Sequence, residues 1–451
     1  MAFGAPATRG ARGMLADGPM SRLQILAIGL AMTLNAVDGF DFLAMTFAAP
    51  GIARDWGIDA TQLGVALSAG PVGMTLGSLL LAPMGDRLGR RPLVMTCLAL
   101  MTAGMFLTAT AAGLTSLCAW RVVTGIGIGG MLAAINAVAA EFSNERRRDL
   151  SVAVMAIGYP LGGLIGGLAV ADVVMVQGWR SVFVIGGGVT AACLVLVMVW
   201  MPESLDYLAR QGTAGARRRM TTILSRMGRP PAAREAPQGA APVAGGKLTD
   251  LLGARFRRRT LLLVAATFLH LMTFYFFSGW LPKLVSDLGY STADAIRTSS
   301  MLSLGGLAGG LALGVAAHRL GLVRLLVLAM IGTAGSMAMF GIVTGLPAIQ
   351  ATAFLVGVGV NGGIIGLYAL LARAYPAELR VTGTGLAIGV ARGGAVIGPL
   401  IGGVLISRGV GIPVVIAIVG SAALVAALVI FVLSRLEAIT APPLATPEAS
   451  K

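Results

Sequence analysis

Two carboxylates in the first apolar stretch are the residues best suited to chemistry. Asp38 and Asp41 lie within residues 23–49, a segment long enough to cross a bilayer as a helix. An ionised side chain at the bilayer centre costs about 2.5–3.5 kcal/mol, so such residues usually face water or a partner. Their spacing places both on one helix face, with Gly39 between them allowing a neighbour to approach closely. Two like charges so close do not both ionise freely, which suits a proton carrier. The alternative is an acid pair that only locks helix packing.

The composition requires a polytopic membrane protein. Of 451 residues, 56% are hydrophobic, 12% are charged and 64 are glycine, whereas soluble domains carry about 25% charged residues. The net charge of +15 does not indicate nucleic-acid binding, because most Lys and Arg fall in short polar gaps between apolar segments. The three cysteines lie in apolar segments without metal-ligand spacing. The first apolar run is too long and too acidic for a cleaved signal peptide, so we expect it to be retained.

Apolar runs predict twelve membrane spans. They lie near 23–49, 61–83, 92–112, 115–140, 150–171, 180–201, 260–285, 297–317, 322–343, 347–372, 381–406 and 410–434. An even number of spans puts both termini on one side, and the excess of Lys and Arg on that side predicts that it is cytoplasmic. The predicted units are a tail (1–22), a first six-helix bundle (23–201), a basic linker (202–259), a second bundle (260–434) and a tail (435–451).

An internal repeat supports two bundles. A shift of 232 residues aligns Gly125 with Gly357 and Gly127 with Gly359, and aligns residues 87–89 with residues 319–321. Because six spans separate the halves, the repeat is parallel, with a pseudo-two-fold axis along the membrane normal; transporters of this build bind near the midplane between the halves. Aligned positions at which the two halves carry different residues are functional candidates. The pairs of aligned residues that differ are Asp38 and His270, Asp41 and Thr273, Asp86 and His318, and Pro160 and Arg392.

The loop after the second span resembles a signature of the major facilitator superfamily. Residues 85–91 read Gly-Asp-Arg-Leu-Gly-Arg-Arg, similar to the family's G-x-x-x-D-R-x-G-R-R, although Ala82 replaces the leading glycine. The charged residues of such a loop can pair with helix ends and with charges such as Glu141, and so hold the two halves in one conformation. The alternative is that the positive charge of the loop only keeps it on the cytoplasmic side. The predicted gating residues are Asp86, Arg87, Gly89, Arg90 and Arg91.

The fourth span resembles the family's R-x-x-x-G-x-G-x-G pattern, which is associated with proton-coupled members. It runs from Arg121 through Gly125, Gly127 and Gly129. No strand precedes it, so a dinucleotide-binding loop is excluded and the glycines are expected to allow tight helix contact. The resemblance makes Arg121 and Glu141 proton-coupling candidates beside the two aspartates. Alternatively, Arg121 could snorkel to the interface.

Further segments resemble the aromatic acid:proton symporter family of that superfamily. They are Asp-Gly-Phe-Asp at 38–41, residues 202–204, residues 275–282 and residues 391–399. The resemblance implies proton-coupled uptake of a small aromatic carboxylate by alternating access across a bacterial cytoplasmic membrane. It implies an all-α membrane protein with twelve transmembrane helices in two bundles, powered by the proton gradient without a cofactor. We expect a monomer whose partners are the acid, protons and the bilayer, with no nucleic acid.

An aromatic carboxylate needs a cation for its charge and flat side chains for its ring. Arg392 lies about 17 Å along its span, near mid-membrane, and its planar guanidinium suits a carboxylate. Tyr275 and Trp280 of the aromatic-rich seventh span, with Tyr159, are ring-binding candidates, although about half of such aromatics serve as interfacial belt or core. His270 is a candidate to bind substrate or relay protons; the alternative is a packed histidine.

Two other functions remain open. The first is a proton-driven exporter of drugs or other amphipathic compounds, since residues 398–403 resemble a Gly-Pro motif of antiporters. In antiporters that motif is typical of the fifth span, whereas the fifth span of this chain has a different sequence at 158–163. A non-transporting membrane sensor is the second, and it would need a signalling domain. No nucleophile triad, metal cluster or phosphate loop indicates an enzyme.

Overall fold

Twelve helices long and apolar enough to cross a membrane lie in the computed structural model, which describes residues 19–229, 248–253 and 255–436. In chain order they are α1 (Arg22–Trp56), α2 (Ala60–Leu80), α3 (Arg90–Ala109), α4 (Leu114–Glu141), α5 (Arg148–Gln177), α6 (Arg180–Trp200), α7 (Arg257–Asp287), α8 (Thr292–Leu320), α9 (Leu322–Phe340), α10 (Leu346–Ala374), α11 (Ala377–Ser407) and α12 (Ile412–Leu436). The twelve predicted spans are confirmed. Most of both predicted tails and the middle of the predicted linker lie outside the described residues.

Helix α1 carries the two aspartates, and its position is fixed at several points. It begins at a capping box in which Ser21 and Gln24 satisfy each other's backbone N–H groups. The Gln24 amide also donates to the carbonyl oxygen of Phe142 at the end of α4, at 3.0 Å. Deeper in the membrane, Asn35 Nδ2 donates to the carbonyl oxygen of Met155 on α5, at 2.9 Å. These contacts set the rotation of α1 and therefore the direction of its acids.

The helices form two six-helix bundles. In the first bundle α1 packs on α5, α2 on α4, and α3 on both α4 and α6; in the second, α7 packs on α11, α8 on α10, and α9 on both α10 and α12. The bundles meet chiefly where α2 contacts α11 and where α5 contacts α8. This arrangement confirms the predicted fold of two bundles.

The 232-residue repeat reappears in backbone contacts. A Cβ on Gly125 of α4 would lie 2.2 Å from the carbonyl oxygen of Gly70 on α2. At the equivalent place in the second bundle, a Cβ on Gly357 of α10 would lie 2.1 Å from the carbonyl oxygen of Leu302 on α8. Both bundles therefore use glycine to bring the same two helices into backbone contact, as small residues do in membranes.

Gly125→Ala is expected to lower the free energy of unfolding by about 1–3 kcal/mol, the usual penalty of overpacking, because backbone atoms must move. The measurement is the melting temperature in detergent. Gly188→Ala on α6 is the matched control, since nothing lies within 4 Å of its added Cβ. Equal melting temperatures for the two variants would contradict the close approach.

Two short helices follow α6, Leu205–Gln211 and Ala214–Arg226. The second is amphipathic, with Met220, Ile223 and Leu224 buried and Arg217–Arg219 exposed. Its position places it on the side of the membrane where α1 begins and α12 ends, called here the terminus side; the opposite side is the far side.

Polar contacts close the interface between the bundles toward the far side. They join Arg54 to Thr292 (3.4 Å), Thr61 to Ser407 (2.8 Å), Arg297 to Asp172 (2.7 Å), and the Ser68 hydroxyl to the Val396 carbonyl oxygen (2.8 Å). The backbones also meet there, since a Cβ on Gly403 of α11 would lie 2.5 Å from the Ala60 carbonyl oxygen.

Candidate substrate and proton site

The two aspartates of α1 are fully enclosed. Asp38 is 1% exposed and Asp41 is 0% exposed. Asp41 Oδ2 accepts a hydrogen bond from the Thr190 hydroxyl on α6, at 3.3 Å. Asp41 Oδ1 and both Asp38 oxygens have no hydrogen-bond partner among the described residues. Burying an unpaired carboxylate as an anion costs several kcal/mol, so this environment suits groups that carry a proton.

Helix α5 covers the face of α1 between the acids, as Gly39 predicts. A Cβ on Gly39 would lie 2.1 Å from the carbonyl oxygen of Tyr159. This contact brings Tyr159 within electrostatic range of Asp38. The acids thus lie inside the first bundle, and access to them depends on neighbouring side chains.

Arg121 is the neighbour that links Asp41 to the bundle interface. It is 1% exposed, so the snorkelling alternative is wrong. Its Nη2 donates to the backbone carbonyl of Asp41 at 2.8 Å, and its guanidinium carbon lies 5.7 Å from the ring centroid of Phe183. Arg121 also lines a small cavity between the bundles, together with Phe42 and Tyr275. A buried cation therefore stands between the acid and the place where a ligand could bind.

Glu141 belongs to a different cluster. Its carboxylate lies 3.7 Å from the Arg90 guanidinium and accepts a hydrogen bond from the Ser204 hydroxyl, at the terminus-side end of α4. The structure therefore joins Glu141 to the loop after α2, which agrees with its predicted pairing with that loop. It separates Glu141 from Asp41, the acid with which it was expected to couple protons.

Glu203 completes this cluster and was missed as a site residue. Its Oε1 accepts from the backbone N–H groups of Arg90 (2.8 Å) and Arg91 (3.3 Å), where a carboxylate favours a helix start. Gly89 has φ of 101°, and a Cβ there would lie 2.7 Å from Glu203 Oε2. The only sequence clue was the resemblance at residues 202–204. Arg87 is exposed, and the side chain of Asp86 lies outside what the structure describes.

Aromatic rings from both bundles meet at the interface. Phe42 of α1 contacts Tyr275 of α7 edge-to-face, with centroids 5.0 Å apart, and lies 6.4 Å from Tyr159 of α5. Phe274 packs on Tyr275 at 5.0 Å. The Tyr159 hydroxyl is buried without a hydrogen-bond partner among the described residues. Phe42 was missed by the sequence reasoning, although it directly follows Asp41.

Arg392 reaches this aromatic cluster from α11. It is half-buried, and its Nη1 donates to the carbonyl oxygen of Met74 on α2 at 2.8 Å, across the interface. It lies within electrostatic range of Tyr275 and of Tyr368 on α10. A cation and flat rings from both bundles thus converge near mid-membrane.

Trp280 and His270 lie apart from this cluster. Trp280 is 1% exposed and its Nε1 donates to the Pro399 carbonyl oxygen at 3.0 Å, toward the closed far side. His270 is 0% exposed inside the second bundle, with Nε2 2.9 Å from the Val360 carbonyl oxygen. The structure thus places Arg392 near Tyr275 and links Tyr275 through Phe42 to Tyr159, but it places these two candidates elsewhere.

The aromatic cluster leaves little free space around Phe42, whereas a cavity of about 330 Å³, lined by Arg54, Trp280 and Lys283 among others, lies between the bundles toward the far side. Phe42 separates two cavities of about 10 and 20 Å³, each about the size for one water. The second is lined by Tyr159 and Asn361, another residue the sequence reasoning missed. A cavity that holds benzene measures about 150 Å³, so an aromatic ligand can enter the aromatic cluster only if the bundles or Phe42 move. Tyr368 of α10 is 39% exposed, so neighbouring side chains do not enclose it.

Two bundles closing on a mid-membrane cluster define a multi-pass membrane transporter rather than an enzyme. Residues 31–340 and 263–450 match the Major Facilitator Superfamily, and the chain belongs to that family. It is 32% identical over 442 residues to the 4-hydroxybenzoate transporter PcaK of Acinetobacter baylyi, covering 94% of each chain. It is 31% identical over 437 residues to a gallate transporter of Pseudomonas putida, covering 94% of this chain and 96% of that one.

A solved structure shows the same fold. It is a bacterial homologue of the human lysosomal transporter Spinster, in an inward-facing and occupied conformation. The TM-score is 0.71 at 14% identity, covering 95% of this chain and 100% of that one. The resemblance to the superfamily inferred from the sequence motifs is confirmed.

Proposed function

We propose that this protein takes up a small aromatic carboxylate together with protons across the bacterial cytoplasmic membrane. The observation that carries the proposal is Arg392, which donates to the Met74 carbonyl oxygen across the bundle interface and lies within electrostatic range of Tyr275, the ring that contacts Phe42. The guanidinium suits the carboxylate and the rings suit the aromatic ring. The names of the relatives, which transport 4-hydroxybenzoate and gallate, support the same substrate class.

Protons enter the proposed cycle at Asp41 and Asp38. Arg121 contacts the Asp41 backbone and lines the interface cavity, so arrival of an anion beside Arg121 changes the electrostatic field at the acids. Moving one anion into a negative interior costs about 2.3 kcal/mol per 100 mV, and one accompanying proton cancels this term. The cycle uses the proton gradient and no other cofactor. Glu141 with Arg90 helps to hold the two halves in one conformation rather than acting as a proton carrier.

Alternating access follows from rocking of the two bundles. The far side is proposed to be the outside, because Lys and Arg concentrate on the side that carries both termini. The contacts of Arg54 with Thr292 and of Asp172 with Arg297 then form the external closure. Each chain holds both bundles, so a monomer suffices for the cycle.

Uptake of labelled 4-hydroxybenzoate into proteoliposomes tests this function. With an acidic exterior we expect accumulation above equilibrium, and collapse of the gradient by a protonophore should abolish it. Protein-free liposomes and labelled xylose are the controls. Accumulation that requires the opposite gradient would support a proton-driven exporter instead. A melting-shift screen over benzoate, hydroxybenzoates, gallate, vanillate, gentisate and phenylpropionates identifies the acid.

A further inference from the structure

A long apolar groove lies on the second bundle, between α8, α9 and α10. Its volume is about 530 Å³, and its wall includes Gly309, Ala316, Leu325, Gly332, Gly335 and Met339. All three helices are membrane spans. Groove and proposed substrate site share none of their lining residues, so the groove is a separate feature.

The groove has the length of a lipid chain. From Leu325 to Met339 it follows fourteen residues of α9, or about 21 Å at 1.5 Å per residue. One leaflet of a bilayer contributes about 15 Å of a 30 Å hydrocarbon core. An extended acyl chain therefore fits lengthwise, and an empty groove would forfeit dispersion contacts along its wall.

Two glycines make the groove deep without serving the packing of the helices. Nothing lies within 4 Å of a Cβ built on Gly332 or Gly335, whereas a Cβ on Gly309 would lie 2.2 Å from the Val358 carbonyl oxygen. The repeat places Leu100 and Ala103 at the equivalent positions of α3. The first bundle therefore carries side chains at the two positions where the second has none.

Two arginines lie at the terminus-side end of the groove. Arg319 lies in the last turn of α8 and Arg324 in the first turn of α9, and both are exposed. The short connection through Gly321 keeps them near Ala316 and Leu325, which line that end. Exposed arginines at this depth meet lipid headgroups, and guanidinium groups bind phosphate through paired hydrogen bonds.

We propose that this groove holds an acyl chain of one anionic phospholipid from the terminus-side leaflet, with the lipid phosphate bound by Arg319 and Arg324. The length of the groove, the two unpacked glycines and the paired cations at one end all select a molecule with a long apolar tail and an anionic head.

The probe is phosphatidylglycerol carrying a photoactivatable diazirine on one acyl chain, reconstituted with the full-length protein and mapped by peptide mass spectrometry. We expect labelling concentrated on α8–α10. Combining Gly332→Leu with Gly335→Leu should reduce that labelling at least fivefold. Gly188→Leu is the matched control, because its Cβ also meets nothing within 4 Å, and it should leave labelling unchanged.

The headgroup is tested separately. Combining Arg319→Gln with Arg324→Gln should lower phosphatidylglycerol labelling to that of a phosphatidylcholine probe, whereas Arg218→Gln, which removes another exposed arginine, should not. The double Arg→Lys variant should restore part of the preference. Labelling spread evenly over all lipid-facing helices, or unaffected by the leucines, would overturn the proposal. So would a dimer in nanodiscs that excludes the probe from α9, since a second copy would then occupy the groove.

Discussion

Asp41→Asn is expected to reduce proton-driven accumulation of the aromatic acid at least tenfold while leaving exchange of labelled for unlabelled acid intact. The amide keeps the size of the side chain and an acceptor for the Thr190 hydroxyl. Arg121 donates to the backbone carbonyl of residue 41, so that contact survives. What the variant loses is the ability to carry a proton. Exchange moves substrate both ways without net proton transfer, so only accumulation should fail.

Proteoliposomes allow both measurements on one preparation. Asp149→Asn is the control, because Asp149 is an exposed acid at the start of α5 and should behave as the parent protein. Undiminished accumulation by Asp41→Asn would refute the proton-carrying role. Loss of accumulation and exchange together, with an unchanged melting temperature, would instead place Asp41 in substrate binding or bundle movement.

Arg392→Lys is expected to raise the KM for the acid about 10- to 100-fold. Hydrogen bonds to charged groups contribute about 1.5–3 kcal/mol, and each 1.4 kcal/mol changes an equilibrium constant tenfold. Lysine keeps the positive charge but loses the planar pair of donors. Arg392→Gln, which removes the charge as well, should abolish saturable uptake. Initial rates over a range of acid concentrations give these values.

Two comparisons show whether the carboxylate is the group that Arg392 binds. Benzamide has the ring without the charge. It should therefore compete with the acid for uptake equally weakly in the parent protein and in Arg392→Lys. Arg408→Lys, an exposed arginine just beyond the far-side end of the same helix, should leave KM unchanged. An unchanged KM in Arg392→Lys would argue against a bidentate clamp and leave the aromatic cluster as the main binding element.

The sequence by itself determined the architecture. Apolar runs of membrane length define twelve spans because backbone polar groups in lipid must be satisfied within each helix. The 232-residue repeat aligns Gly125 with Gly357, and in the structure these two glycines make equivalent close backbone contacts in the two bundles. The sequence also located the charged residues within the membrane spans, Asp38, Asp41 and Arg392. Such residues are costly in a membrane, so they stand out before the orientation of their helices is known.

Only the tertiary structure decided which of these residues meet. Helical periodicity gives the face of a residue on its own helix, but the neighbour it faces depends on the rotation of that helix in the bundle. Thus Tyr275 and Trp280 lie on one helix, yet Tyr275 contacts Phe42, whereas Trp280 donates a hydrogen bond to the Pro399 carbonyl oxygen toward the far side. His270, the repeat partner of Asp38, is enclosed in the second bundle. Contacts between distant segments come from packing, and no local pattern in the chain encodes them.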